Sequence, residues 1–374
     1  MNHRTQQASS TQQRISSFLN PADQLGCGSI PERFLEFCQH STESVQGHAL
    51  YTDYTLPQTE FEHPEYDGAD GNSLSIDRLD EEHLLPLTAI PSSRPVVAVD
   101  TSTIKLGELA DGSLCALRGS AVLLDKKRYR YVRYGPLVFS LSSDSYDALR
   151  RFADLGLVTQ FQGEVNVDGL LKRIRNTFER WIQFSVSSSI TRGFVLLDGS
   201  LTAGTPDNPT REVERILETA RRNQSVVIAI SKKTKLHVRD QSITNIVNPA
   251  AEPCLFDVDM EVTEQFPAYP VRFLGHVFVG KLARSGFAFR IDVDRDIPRH
   301  EIAQEVCQLV GTDIVDQGYP ETLRLAHILA TFTAGDVLAM QAFAVARFGV
   351  QLIPRMTLRR SLFGPFGTAW ESWH

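Results

Sequence analysis

Two aspartates stand in the same local context. Asp100 ends the apolar run Val96-Val97-Ala98-Val99, and Asp198 ends the run Phe194-Val195-Leu196-Leu197. Small residues follow each, Thr101-Ser102 in the first case and Gly199-Ser200 in the second. A short, continuous apolar run predicts a strand buried on both faces. A carboxylate at the end of such a strand is costly unless something positive meets it. Two of them point to a shared divalent cation, and hard oxygen ligands suit manganese or magnesium. A pair of such ions activates a water and stabilises the leaving oxygen in phosphodiester cleavage. Small side chains such as Ser102 and Ser200 let a phosphate backbone come close. The competing reading is that each Asp caps the turn after its strand, an ordinary use of Asp. Two buried carboxylates in one context weigh against it.

Further polar residues fall where they could join this site. Glu179 is the best third carboxylate, set near the C-terminal end of a helix expected over 165–185; the alternative is an i, i+4 pair with Arg175. Glu164 and Asp168 are weaker rivals at the helix start, where the dipole favours acids in any case. Lys232 follows the apolar run 226–230 and could offset charge on a phosphate. By spacing alone it could equally belong to a solvated turn with Lys233 and Lys235. Tyr319 and His327 are eight positions apart, so they could face one way on a helix that begins at Pro320. His327 could hold metal or move a proton, or simply pack in Leu325-Ala326-His327-Ile328. Arg324 adds a possible phosphate contact.

The elements that must position these residues follow from the pattern. Strands are expected over 96–99, 113–124 and 129–140, with Asp111-Gly112 as a hairpin signal. A helix over 165–185, a strand over 194–197, a helix over 210–222 and a strand over 226–230 come next. Residues 254–294 hold further β-like stretches, and 301–310, 320–329 and 334–348 read as helices. Three strands, then alternating helix and strand, predict an α/β fold: a mixed sheet flanked by helices, the order of a ribonuclease H-like core. Ahead of it, 15–39 reads as two short helices broken by Pro21 and Pro31.

Composition sets the outer limits. The 374 residues are 42% hydrophobic and 22% charged, ordinary for a globular chain. No signal peptide is evident, and no uninterrupted apolar stretch nears the roughly 20 residues of a membrane span. The five cysteines are scattered without a C-x-x-C pair, which argues against a zinc cage or disulfide framework and for a cytoplasmic setting. Net charge is −7, but it is uneven: 1–93 holds 4 basic and 14 acidic residues, leaving 34 basic and 31 acidic beyond. A basic groove for phosphate therefore remains available.

Four segments in order carry a resemblance to a known family: Val97-Ala98-Val99-Asp100-Thr101-Ser102, Leu196-Leu197-Asp198-Gly199-Ser200, Ile230-Ser231-Lys232, and Gly318-Tyr319-Pro320 with Leu323-Arg324-Leu325-Ala326-His327. Together they resemble the NurA nucleases over about residues 94–335. The resemblance implies a ribonuclease H-like fold, a homodimer, and manganese-dependent DNA cleavage, combining 5′→3′ exonuclease action with cutting of single strands. It also implies partnership with the hexameric translocase HerA in processing DNA ends for recombinational repair. Carried over by position, Asp100, Glu179, Asp198 and His327 would be metal ligands, with Lys232 and Tyr319 completing the catalytic set. One departure is plain: the family's first motif is usually Asp-Gly-Ser, and here Thr101 replaces the glycine. The expected division is an N-terminal tail, short helices and acidic arm over 1–93, a nuclease domain over 94–350 and an aromatic tail over 351–374. A catalytically weak DNA clamp that docks a translocase and an RNA-directed nuclease are the alternatives.

Overall fold

The computed structural model describes residues 28–53, 74–75, 84–142, 145, 167–204, 208–232, 234, 236–238, 241–258 and 272–355. Among these, an 11-stranded mixed sheet dominates. Its centre is a long meander: β3 (Val96–Leu109), β4 (Gly112–Asp125) and β5 (Arg128–Ser142), each antiparallel to the last. β6 (Phe194–Asp198) then joins β3 in parallel, and β7 (Val226–Ser231) joins β6 in parallel. The spatial order β5-β4-β3-β6-β7, with only β4 reversed, is the ribonuclease H-like arrangement. The sheet continues through β10 (Phe289–Asp294), β9 (Gly275–Lys281), β8 (Cys254–Asp257) and β2 (Leu84–Pro86), all antiparallel.

Period-2 alternation divides the core between the two faces. Val97 and Val99 pack with Val195 and Leu197 beneath helices α2 (Val167–Ser189) and α3 (Thr210–Arg222), joined by Phe34 and Phe37 of α1 (Glu32–Glu43). Val96 and Ala98 face the other way with Leu196 and Ile228. They pack against α4 (Arg299–Thr312) and α5 (Glu321–Ala330).

Several boundaries differ from the sequence expectation. β3 does not stop at Val99 but runs on for ten residues as one arm of the hairpin. Residues before 94 do not stand apart: β1 (Ala49–Asp53) pairs with β3 at Tyr51–Glu108, and β2 closes the far edge of the sheet. Nor is the segment from 351 simply a tail, because β11 (Gln351–Arg355) pairs in parallel with β1. One helix is found over 32–43, while the first of the two expected short helices lies outside the described residues. Also outside them are Glu164, Lys233, Lys235, the acidic arm except 74–75, and the terminal aromatics Phe363, Phe366, Trp370 and Trp373. Glu321–Phe348 is long and apolar enough to cross a membrane by length and composition only. It is broken where Thr333 and Asp336 form a capping box for α6 (Ala334–Phe348), and its first half lies on β3 and β4.

The joint between α5 and α6 is locked from the sheet. Arg118 of β4 is buried; its guanidinium donates to both carboxylate oxygens of Asp336 at 3.1 and 2.8 Å and to the Thr331 carbonyl at 3.0 Å. It also lies 4.4 Å from the centre of the Phe332 ring. The Arg118 hydrogen bonds hold the Asp336 carboxyl well below the usual carboxylate range. This contribution is present above the unfolded value near 3.9 and is lost as pH falls below it. Asp336→Ala should therefore cost about 3 kcal/mol by stranding a buried cation, measured by urea unfolding at pH 7. At pH 3 the difference from wild type should narrow.

Candidate active site

The parallel pairing of β3 with β6 ends at Val99–Leu197, one residue before Asp100 and Asp198. Both aspartates therefore stand where the two strands part, and β7 ends beside them. Gly199 makes the turn out of β6 with φ of 123°, a conformation L side chains rarely adopt, and its N–H donates to the Ile230 carbonyl at 3.1 Å. The loop beyond is held by a buried ion network. Asp292 of β10 accepts from the Leu201 N–H at 2.9 Å, and Arg290 bridges Asp292 and the Thr202 hydroxyl.

Each aspartate meets one basic side chain. Asp100 Oδ2 lies 2.7 Å from His327 Nδ1, and Oδ1 accepts from the Thr101 N–H at 2.7 Å. Asp198 Oδ2 accepts from Lys232 Nζ at 2.7 Å. The Lys232 ammonium is also 5.5 Å from the centre of the Tyr319 ring, within cation–π range. Asp198 Oδ1 is different: it is buried and accepts no hydrogen bond. Burial first, and the nearby Asp100 charge second, raise the proton affinity of Asp198. The hydrogen bond to Asp100 raises that of His327. One ligand atom each from Asp100, Asp198 and His327 lie within 4.8 Å of one another. Two carboxylate oxygens and an imidazole nitrogen, one oxygen being buried and unpartnered, are a donor set that fits a divalent cation.

Glu179 approaches from the opposite face of the sheet. It sits mid-helix in α2, not near its C-terminal end, because the helix runs on to Ser189. Close packing brings it in. A Cβ on Gly119 would come within 2.5 Å of Ile182 and 3.0 Å of Phe178, and Gly119 is the cross-strand partner of Thr101. Glu179 Oε2 accepts from the Thr101 hydroxyl at 2.8 Å, and Oε1 accepts from Gln183 Nε2 at 2.8 Å. Gln183 is fully buried and in turn accepts from Arg180 at 2.7 Å. Burial, then the Asp100 charge, push the Glu179 carboxyl up to about 7. The anticipated partner Arg175 acts on it only through its charge, as a lesser influence.

The remaining sequence candidates divide. Ser102 shares the face of Asp100 by strand alternation, and Ser200 lies in the turn after Asp198. Tyr319 is not on the helix with His327: Tyr319–Pro320 form a two-residue strand, and α5 starts at Glu321 with Pro320 as its N-cap. Its ring still reaches the site through Lys232. Arg324 is bound to Glu321 and to Asp316, the latter at 2.5 Å, so its charge is already countered. Asp168 pairs with Lys105 at 2.5 Å, away from the aspartate pair. Sequence reasoning missed Gln183 and the Arg290–Asp292 pair. Gln183 carried a weak signal, one helical turn beyond Glu179; Asp292 carried another, an acidic residue inside an apolar strand run.

No protein-family model and no curated protein matches the chain. Among solved structures it is similar to the NurA nuclease from Sulfolobus solfataricus, at 11% identity over 71% of this chain and 88% of that one, with a TM-score of 0.48. It is also similar to NurA bound to dAMP and manganese, at 10% identity over 65% and 85% of the two chains, TM-score 0.36. A third likeness is to A. aeolicus Argonaute, at 10% identity over 65% of this chain and 29% of that one, TM-score 0.29.

Two predictions follow from the geometry around Glu179. Thr101→Val removes the hydroxyl that holds Oε2 and should weaken binding of an added divalent cation about tenfold by calorimetric titration, about one lost hydrogen bond to a charged group; Thr101→Ser should restore it. Because the Glu179 pKa is raised from 4.5 to about 7, its contribution to stability is greatest below 4.5 and is lost as pH rises through 7. Glu179→Gln should accordingly raise the melting temperature at pH 8 and do little at pH 5.

Proposed function

We propose that this chain is a metal-dependent phosphodiesterase that hydrolyses DNA. The observation that carries the reading is the buried, unpartnered Asp198 Oδ1 beside Asp100 and His327. An unsatisfied buried carboxylate oxygen costs free energy, and a cation would remove that cost. Asp100, Asp198 and His327 would hold the ion, with Glu179 as a further ligand for a second one. When bound, the metal would supply Lewis-acid activation of water and counter-charge at the phosphate.

The chain's own residues do the rest. Lys232, held at the site by Asp198 and near the Tyr319 ring, would offer its ammonium to a phosphate oxygen and offset the charge that grows in the transition state. The Tyr319 ring keeps that ammonium at the site. His327, 2.7 Å from Asp100 Oδ2, would hold a proton at Nδ1 or serve as a ligand to the ion. Thr101 bridges the two faces: its N–H orients Asp100 and its hydroxyl orients Glu179. The motif resemblance extends the proposal to 5′→3′ exonuclease and single-strand endonuclease action, manganese as the metal, a homodimer, a cytoplasmic setting, and a HerA-type translocase as partner in DNA repair.

End-labelled single- and double-stranded DNA incubated with Mn²⁺ should be cut by the wild type. Asp198→Ala, or chelation of the metal, should abolish cutting. Cleavage retained by Asp198→Ala would overturn the scheme, and preferential cutting of matched RNA would redirect it to an RNA substrate. With Glu179 up to about 7 and His327 raised above its usual value, metal entry near pH 7 should displace protons. Calorimetry in buffers of different ionisation enthalpy should show proton release and tighter Mn²⁺ binding as pH rises from 6 to 8.

A further inference from the structure

The β4–β5 hairpin ends in a tight turn built from two lysines. Asp125 and Arg128 are the last paired residues, and Lys126 and Lys127 between them both adopt positive φ, 48° and 64°. Positive φ at both central positions is the type I′ signature, and the residues that fit it best are Asn-Gly. Lysine there is strained, since its Cβ crowds the backbone in this conformation. The chain therefore keeps two charges where neutral residues would make a more stable turn. Non-glycine residues held at positive φ are an observation from which a functional role can be inferred.

The strand that follows repeats the chemistry. Arg128, Arg130, Tyr131 and Arg133 of β5 are exposed, Tyr131 by 57%. Among the described residues, Asp125 is the one carboxylate paired with this set, on Arg130 at 3.3 Å. Charged side chains on an edge strand ordinarily discourage pairing with other chains, and that accounts for the arginines on β5. It does not account for Lys126 and Lys127, which lie beyond the ladder and guard no unpaired backbone.

Register ties this tract to the aspartates. Asp100, Ser120 and Arg133 are direct partners across β3, β4 and β5, so all three project from one face. At a strand spacing of about 4.8 Å, Arg133 begins about 10 Å from Asp100. Tyr131 lies next on the same face, while Arg128 and Arg130 project from the other. From Arg133 to the turn is about 20 Å at roughly 3.3 Å per residue. That length spans several successive phosphates of one strand.

We propose that the Lys126-Lys127 turn, with Arg133 and Tyr131 on the Asp100 face of β5, forms a tract that grips the nucleic-acid backbone leading away from the site at Asp100 and Asp198. The inference rests on the DNA reading of that site. The two lysines and Arg133 bind phosphates without regard to sequence, and Tyr131 offers a ring on which a base can stack.

The test replaces the turn with its best-fitting residues, Lys126→Asn together with Lys127→Gly. Binding of fluorescently labelled single-stranded DNA is followed by anisotropy in EDTA over a range of salt concentrations, beside thermal unfolding. The tract predicts a melting temperature equal to or above wild type, about tenfold weaker binding at low salt, and a salt slope shallower by about 1.4, the loss of two phosphate contacts. Arg133→Ser, which alters no turn residue, should weaken binding too and serves if the double variant folds poorly. Unchanged affinity and salt slope in a folded variant would overturn the tract. Absence of DNA binding by the wild type would overturn the tract, and absence of cleavage in Mn²⁺ besides would overturn the nuclease reading as well. Binding by the wild type without cleavage in Mn²⁺ would overturn the nuclease reading alone, leaving the binding comparison to decide the tract.

Discussion

Negative charge gathers where β3 and β6 part. Asp100 and Asp198 stand at that point, and Glu179 reaches it from the other face of the sheet through Thr101. Burial first, and the Asp100 charge second, raise the proton affinities of Glu179 and Asp198 against the cations near them. Such a cluster opposes folding above neutral pH, because desolvated like charges repel. The buried, unpartnered Asp198 Oδ1 makes the site receptive to a cation.

The supports that prevent relaxation come from both faces. On one, Gly119 admits α2 so closely that Phe178 and Ile182 pack on the strand and Glu179 meets the Thr101 hydroxyl. Gln183 and Arg180 then fix it from behind. On the other, α5 carries His327 to Asp100 and is held down where Ser120 donates to the Ala326 carbonyl at 2.6 Å and where Arg118 clamps the α5–α6 joint. The loop after Asp198 is fastened by Arg290 and Asp292. Thr101 is central to this arrangement. A glycine at that position would leave Glu179 Oε2 without its donor, so Thr101 serves as a bridge between carboxylates.

Much of the fold was legible because its signals are local. The hairpin at Asp111-Gly112, the strands around both aspartates and the helices from 210 and 334 follow from turn chemistry and periodicity, which act over a few residues. The extent of β3 was not legible. Its polar second half, Thr101 to Glu108, lacks the apolar run that marks a buried strand and becomes a strand only by pairing with β4. The membership of Ala49–Asp53 and Gln351–Arg355 in the sheet was hidden for the same reason: they pair with each other across some 300 residues, and no local pattern records a partner so distant.

By itself the sequence determined which carboxylates would be delivered and in what company, since a buried apolar run ending in Asp leaves that residue at a strand end whatever its neighbours. It also determined that Lys232 and His327 would follow on elements able to reach them. Only the tertiary structure decided that Asp100 meets His327, that Asp198 meets Lys232 and keeps one oxygen unsatisfied, and that Glu179 sits mid-helix rather than near its end. The reason is geometric. Asp100 and His327 meet at 2.7 Å though 227 positions apart, and sheet register and helix docking set such distances, not the spacing of residues along the chain.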